Sequence, residues 1–223
     1  MNLEAGRVAV VSGGSRGIGA ATARRLAVDG WDIAFSYQGD GPSAREVEKA
    51  VFEVGARAIG TDVDVTDAAE VTSWFRLTED ELGPVQAAVS CAGITREQPL
   101  VCLAEADWRT VIDTSLAGVF HVCRAAVFAM MERRSGRIVT VTSVCGEYDH
   151  DPHGHDTLAR PGVAGFTRAL ASGARKSVLI RLTRLVWSTC QAALELGDGA
   201  LIPAGRAEIL ALALHTLRAP QLS

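Results

Sequence analysis

The chain has 223 residues, 48% of them apolar, and a net charge of −4 at pH 7, which suits one α/β domain with a sizeable core and argues against a nucleic-acid or anionic-membrane surface. No apolar run approaches the roughly 18 residues of a membrane span, and MNLEAGR lacks a secretory signal pattern. Five cysteines (Cys91, Cys102, Cys123, Cys145, Cys190), an odd number without C-x-x-C spacing, read as small buried hydrophobes of a cytoplasmic protein, with Cys91 and Cys145 open as reactive thiols.

In chain order, Val8 to Val11 is a short β-branched run, the composition of a strand buried on both faces. Gly13, Gly14, Gly17 and Gly19 then open a helix over Ala20 to Ala27. A strand, a glycine turn and a helix in that order make a phosphate cradle. Glycine lets backbone approach a pyrophosphate, and the helix N-terminus offers unpaired N–H groups and positive dipole. Strands are expected at Asp32 to Tyr37, Ala56 to Thr61, Gln86 to Cys91, Arg137 to Thr142 and Val178 to Thr183. Helices are expected at Ser43 to Val54, Val71 to Leu82, Asp107 to Met131 and Val163 to Ala174. Leu185, Thr189, Ala192, Ala193 and Leu196 share a helical face, so Leu185 to Leu196 reads as amphipathic helix. Strands alternating with helices across short connections indicate a doubly wound parallel α/β sheet, and no repeat or linker divides residues 1–223 into domains.

The Gly-x-x-x-Gly-x-Gly spacing resembles the short-chain dehydrogenase/reductase family, in its 3-oxoacyl-carrier-protein reductase-like branch, and the resemblance runs over about residues 7–175. It implies a Rossmann-like fold and a nicotinamide cofactor on Ser12, Gly13, Ser15, Arg16, Gly17, Ile18 and Gly19, where the family usually writes Thr for Ser12. Asp64-Val65-Thr66-Asp67 looks like the family's adenine-side loop, with Asp64 and Val65 flanking the base. Ser90-Cys91-Ala92-Gly93 stands where the family writes Asn-Asn-Ala-Gly, so Ala92 and Gly93 are kept and both asparagines are gone. An NAD enzyme wants a carboxylate at the end of the second strand for the ribose 2′-hydroxyl. Here Tyr37-Gln38-Gly39 stands there, and Arg16 lies where it meets a 2′-phosphate, so NADP is favoured over NAD.

The family reduces carbonyls with Asn, Ser, Tyr and Lys. Ser143, after the fifth strand, matches the Ser, and Ser115 occupies the Asn position. Thirteen residues beyond Ser143, Asp156 stands where Tyr belongs, and Arg160 stands for Lys. An unperturbed Asp has a pKa of about 3.9, and a neighbouring cation favours its anion, so Asp156 is a poor acid near neutrality. Arg160 can hold ribose hydroxyls but cannot relay a proton. Pro161 suits a helix's first position, which puts Asp156 to Arg160 in the loop before the helix. That loop, Glu147 to Asp156, carries His150, His153 and His155 among carboxylates. It reads as a polar exposed loop. A divalent metal on His153 and His155, or a relocated general acid from a histidine or Tyr148, are the other readings, and no recognised metal spacing is present.

Toward the end, Arg206 to Leu217 resembles the family's last large helix, and the family's seventh, edge strand is expected to be missing. An uncovered sheet edge calls for a partner, so a homo-oligomer is expected. Three functions follow. The first is an NADP(H)-dependent carbonyl reductase of a small-molecule substrate. The second is a non-redox cyclase, dehydratase or isomerase of a polyketide-like substrate on the same scaffold. The third is a catalytically silent nucleotide-binding protein.

Overall fold

A computed structural model describes residues 6–96, 99–143, 156–174, 179–187, 192–195 and 201–204. Cys145, Tyr148, His150, His153, His155, Cys190 and the expected helix at 206–217 lie outside the described residues. One sheet runs through the molecule in the order β3-β2-β1-β4-β5-β6-β7-β8. Its strands are β1 (Arg7–Ser12), β2 (Trp31–Tyr37), β3 (Ala58–Asp62), β4 (Val85–Ser90), β5 (Ser135–Ser143), β6 (Leu179–Trp187), β7 (Ala192–Glu195) and β8 (Leu201–Ala204). The helices are α1 (Gly17–Val28), α2 (Gly41–Glu53), α3 (Ala68–Glu81), α4 (Glu105–Ile112), α5 (Gly118–Met131) and α6 (Asp156–Ala174).

β1 is paired on both sides, with β2 (Val11 beside Phe35) and with β4 (Ser12 beside Ser90). That position explains its apolar run, since Val8 to Val11 are fully buried and feed both faces. Ala9 and Val11 pack with Leu26, Ile33, Phe35 and Val47 under α1 and α2. Val8 and Val10 pack with Trp74, Val122, Met130 and Val163 under α3, α5 and α6. The chain reverses its winding between β1 and β4, and the crevice at such a switch point is where open α/β sheets bind ligands. The expected doubly wound parallel sheet is therefore present.

Four local expectations are adjusted. First, the long helix expected over Asp107 to Met131 is present and starts at Glu105, with a π turn, Asp113–Ala117, between its α-helical parts. The continuous stretch Glu105–Met131 is long and apolar enough to cross a membrane by length and composition alone. Its buried residues Val111, Val119, Val122, Cys123, Ala126 and Met130 belong to the core of this fold. Second, α6 begins at Asp156 and not near Pro161, with the proline inside it. In the second turn Pro161 lacks the N–H that would reach the Thr157 carbonyl, and the helix continues past it to Ala174.

Third, Leu185 to Leu196 forms no helix among its described residues. β6 pairs with β5 from Ser135 beside Leu179 to Ser143 beside Trp187, and Ala193 of β7 pairs antiparallel with Val186. Partner backbone along a whole strand outweighs a local helical period, and Leu-Val-Trp is good strand material. Fourth, the edge expected at β6 is covered, because β7 and β8 extend the sheet antiparallel beyond it.

Burial pushes the Cys123 thiol up to about 12 from its ordinary value of 9.0. A raised thiol pKa means the folded state holds the proton longer. Stability from this group is thus intact below pH 9 and falls by about 1.4 kcal/mol per pH unit as pH climbs toward the folded value. Cys123→Ala is expected to flatten that alkaline slope in urea melts. In the native wild type a thiol reagent should modify exposed Cys102 before Cys123, which should react only on unfolding.

Candidate functional site

The chain between β1 and α1 turns back through Gly13 (φ +66°) and Gly17 (φ +56°), a backbone that L side chains rarely adopt. Close approach constrains the others. A Cβ on Gly19 would strike the Gly13 carbonyl oxygen, and one on Gly14 would lie 2.5 Å from Cβ of Phe35. The loop is pinned to the next strand by the Gly14 N–H, which donates to the Ser36 carbonyl at 2.7 Å. At the head of α1, Arg16 is extended, no side chain caps the helix, and no acidic residue stands in its first turn. The N–H groups of this first turn therefore face outward with the positive end of the helix dipole.

Beside this loop lies a cleft of about 300 Å³. Among the residues expected to hold a cofactor, Gly13, Ser15, Arg16, Gly17, Ile18, Gly19, Val65, Ala92 and Gly93 border it. Ser12 and Asp64 do not. Ser12 is fully buried, and its hydroxyl accepts from the N–H groups of Cys91 and Ala92, each at 3.1 Å. Its role is to fasten the end of β4 to the end of β1. The Asp64 carboxylate is turned onto protein. It accepts from Gln38 Nε2 at 3.0 Å, from Thr66 N–H at 2.8 Å and from Thr66 Oγ1 at 2.7 Å. The Gln38 bond straps the loop after β2 to the loop after β3.

Sequence reasoning missed several residues bordering the cleft: Ser36, Asp40, Val63, Ile94 and Thr114. Each is nonglycine and lies outside the recognisable loop motif, so no local signal marks it. Cys91, half-buried, also borders the cleft.

Val65 is held from behind. His121 Nδ1 lies 2.9 Å from the Val65 carbonyl, an acceptor, so Nδ1 is the nitrogen that donates. A Cβ on Gly118 would fall 2.7 Å from Val65 Cγ2, so the start of α5 packs directly on this wall of the cleft.

Ser115 sits in the π turn and is 3% exposed. Its hydroxyl donates to the Ile94 carbonyl and accepts from the Ile94 N–H, both at 3.1 Å. With its one proton committed, it clamps the 91–94 loop and does not offer a donor to the cleft. π turns of this kind recur at functional sites, because the extra residue re-aims neighbouring groups.

The backbone places Ser143 as the last residue of β5, and Asp156 and Arg160 four apart at the start of α6. Four residues is one helical turn, so these two positions share a face. α6 is brought against the π turn at Gly162, where a Cβ would lie 3.2 Å from Leu116 Cδ2. It is tied to β5 by the Thr140 and Thr167 hydroxyls, 2.9 Å apart. Among the described residues no group of three His, Cys, Asp or Glu could hold a metal ion.

The short chain dehydrogenase family matches residues 7–187. A 3-oxoacyl-acyl-carrier-protein reductase of Synechocystis is 36% identical over 165 residues, which is 74% of this chain and 67% of that relative. An acetoacetyl-CoA reductase of Paracoccus denitrificans is 35% identical over 175 residues, 78% of this chain and 70% of that protein. Among solved structures, an actinorhodin polyketide ketoreductase with NADPH superimposes with a TM-score of 0.77 at 31% identity, over 82% of this chain and 70% of that one. With a family match across most of its length, on the glycine turn and sheet order described above, the chain belongs to the short-chain dehydrogenases.

Proposed function

We propose that the protein is an NADP(H)-dependent carbonyl reductase of the ketoacyl type, with Asp156 and Arg160 standing where the family has Tyr and Lys. The observation that carries this reading is the intact cradle: Gly13 and Gly19 leave room that a Cβ would fill, against an uncapped helix start. A pyrophosphate suits that geometry. Arg16 borders the same cleft and supports a 2′-phosphate. Bound there, NADPH would supply the hydride to a substrate carbonyl. Ser143 is the residue assigned to orient that carbonyl. An aspartate of ordinary pKa, about 3.9, is an anion near neutrality and has no proton to give. The proton is therefore assigned to water or to a residue of the 147–155 segment, and Asp156→Asn should leave NADPH-dependent reduction within a few-fold of wild type.

The test is a titration with NADPH, with NADH as control, following melting temperature, then NADPH oxidation with acetoacetyl-CoA at 340 nm. A ligand of the native state must raise the apparent stability, by about 2.7 kcal/mol at a hundredfold excess over Kd. Binding with ketone-dependent oxidation supports the reductase. Binding with no turnover of any carbonyl would leave a silent nucleotide-binding protein. An Asp at position 156, where the family writes Tyr, favours a second reading, a non-redox cyclase, dehydratase or isomerase. That reading expects turnover without nicotinamide consumption, abolished by Asp156→Asn.

A cytoplasmic homo-oligomer is part of the same proposal. α5 exposes Phe120, Phe128 and Met131 on the surface, an apolar stripe that a second copy would cover. Sedimentation as a stable monomer would remove this element.

A further inference from the structure

Buried polar groups in folded proteins nearly always have hydrogen-bond partners, and the exceptions concentrate where a ligand supplies the missing one. Ser36, at the end of β2, is 1% exposed, and its hydroxyl has no partner among the described residues. It borders the nucleotide cleft. Thr61, paired with it in register on β3, also has an unpartnered hydroxyl but does not border the cleft. Val63 and Val65 supply apolar walls at this end of the cleft, suited to the faces of a flat ring. Asp64, the residue that the family pattern would set against the base, is bonded to Gln38 and Thr66 instead.

From this we infer that Ser36 is a ligand-contacting residue, whose hydroxyl hydrogen-bonds the adenosine moiety of a nucleotide lying against Val63 and Val65. The inference rests on the nucleotide-binding part of the proposed function and is separable from its chemistry. An unpartnered hydroxyl weakens the ligand-free protein and gains its bond only in the complex. Removing it therefore has two effects of opposite sign, which a structural hydroxyl would not give.

Ser36→Ala, measured by thermal melts and by titration with NADPH and with 2′-phospho-ADP-ribose, tests it. The second probe carries the adenosine half without nicotinamide. The ligand-free variant is expected to melt at the wild-type temperature or above, and to bind both probes roughly three- to tenfold more weakly, the range for one neutral hydrogen bond. A lowered melting temperature without ligand would show a structural partner for the hydroxyl and overturn the assignment. Unchanged affinity, or a loss seen with NADPH alone, would also overturn it. Wild-type binding of 2′-phospho-ADP-ribose without NADPH would sink the reductase while leaving Ser36 in place. Wild-type binding of neither probe would overturn both.

Discussion

Gly19→Ala is expected to abolish the NADPH-dependent rise in melting temperature. The new Cβ would strike the Gly13 carbonyl oxygen, with the carbonyl carbon at 2.8 Å and Gly14 Cα at 3.1 Å. All three are backbone atoms, so relief requires the turn itself to open, and the N–H groups that face a pyrophosphate turn away with it. Forcing an extra carbon into a packed site costs about 1–3 kcal/mol. For a chain of this size each kcal/mol moves the melting temperature by about 2–4 °C, so the ligand-free variant should melt roughly 2–12 °C lower. Gly17→Ala is the control. Nothing lies within 4 Å of its Cβ, and only its φ of +56° opposes the substitution. It should cost about 1–2 kcal/mol in backbone strain and retain part of the nucleotide response. A full NADPH shift in Gly19→Ala would mean that the nucleotide does not sit on this turn.

Ser12→Ala should have the second largest effect, at a residue that need not touch the ligand. One hydroxyl accepts two N–H groups, from Cys91 and Ala92. Its loss removes that acceptor from both at the part-buried seam between β1 and β4, at about 0.5–1.5 kcal/mol for each hydrogen bond. A decrease of about 1–3 kcal/mol is expected, with NADPH binding weakened because Ala92 and Gly93 border the cleft. Ser12→Thr keeps the hydroxyl and should restore most of both losses. Melts of the three proteins with and without NADPH decide it. If Ser12→Ala matches wild type, the seam is held by other bonds.

The parts of this molecule that could be read from its residues are those where local chemistry and tertiary structure agree. At Gly13, Gly17 and Gly19 glycine is needed for reasons internal to the turn, so spacing alone marks it, and the core sheet follows from strands alternating with helices. Elsewhere a distant partner decides. Leu185 to Leu196 has a helical period, yet β5 offers β6 a complete ladder and β6 takes it. Pro161 looks like a helix start, but a helix already packed on Leu116 and Thr140 tolerates one lost bond. Within the site, Asp64 has the right type and position, but its carboxylate goes to Gln38, 26 residues away. Ser36 gives the opposite lesson. Nothing around it in sequence distinguishes it, and its interest lies in a bond that no neighbour makes.

The Ser12 seam has a kinetic consequence. The bonds from Ser12 join residues 79 and 80 positions apart, across two complete strand–helix units. Contacts of such long sequence separation carry a large loop-closure cost and form slowly. A cleft that exists only after β4 docks on β1 would take shape on the native side of the folding barrier. Nucleotide added during refolding should then leave the folding rate unchanged and lower the unfolding rate by nearly the full binding factor, so the ligand acts as a brake on opening, not as a template for folding.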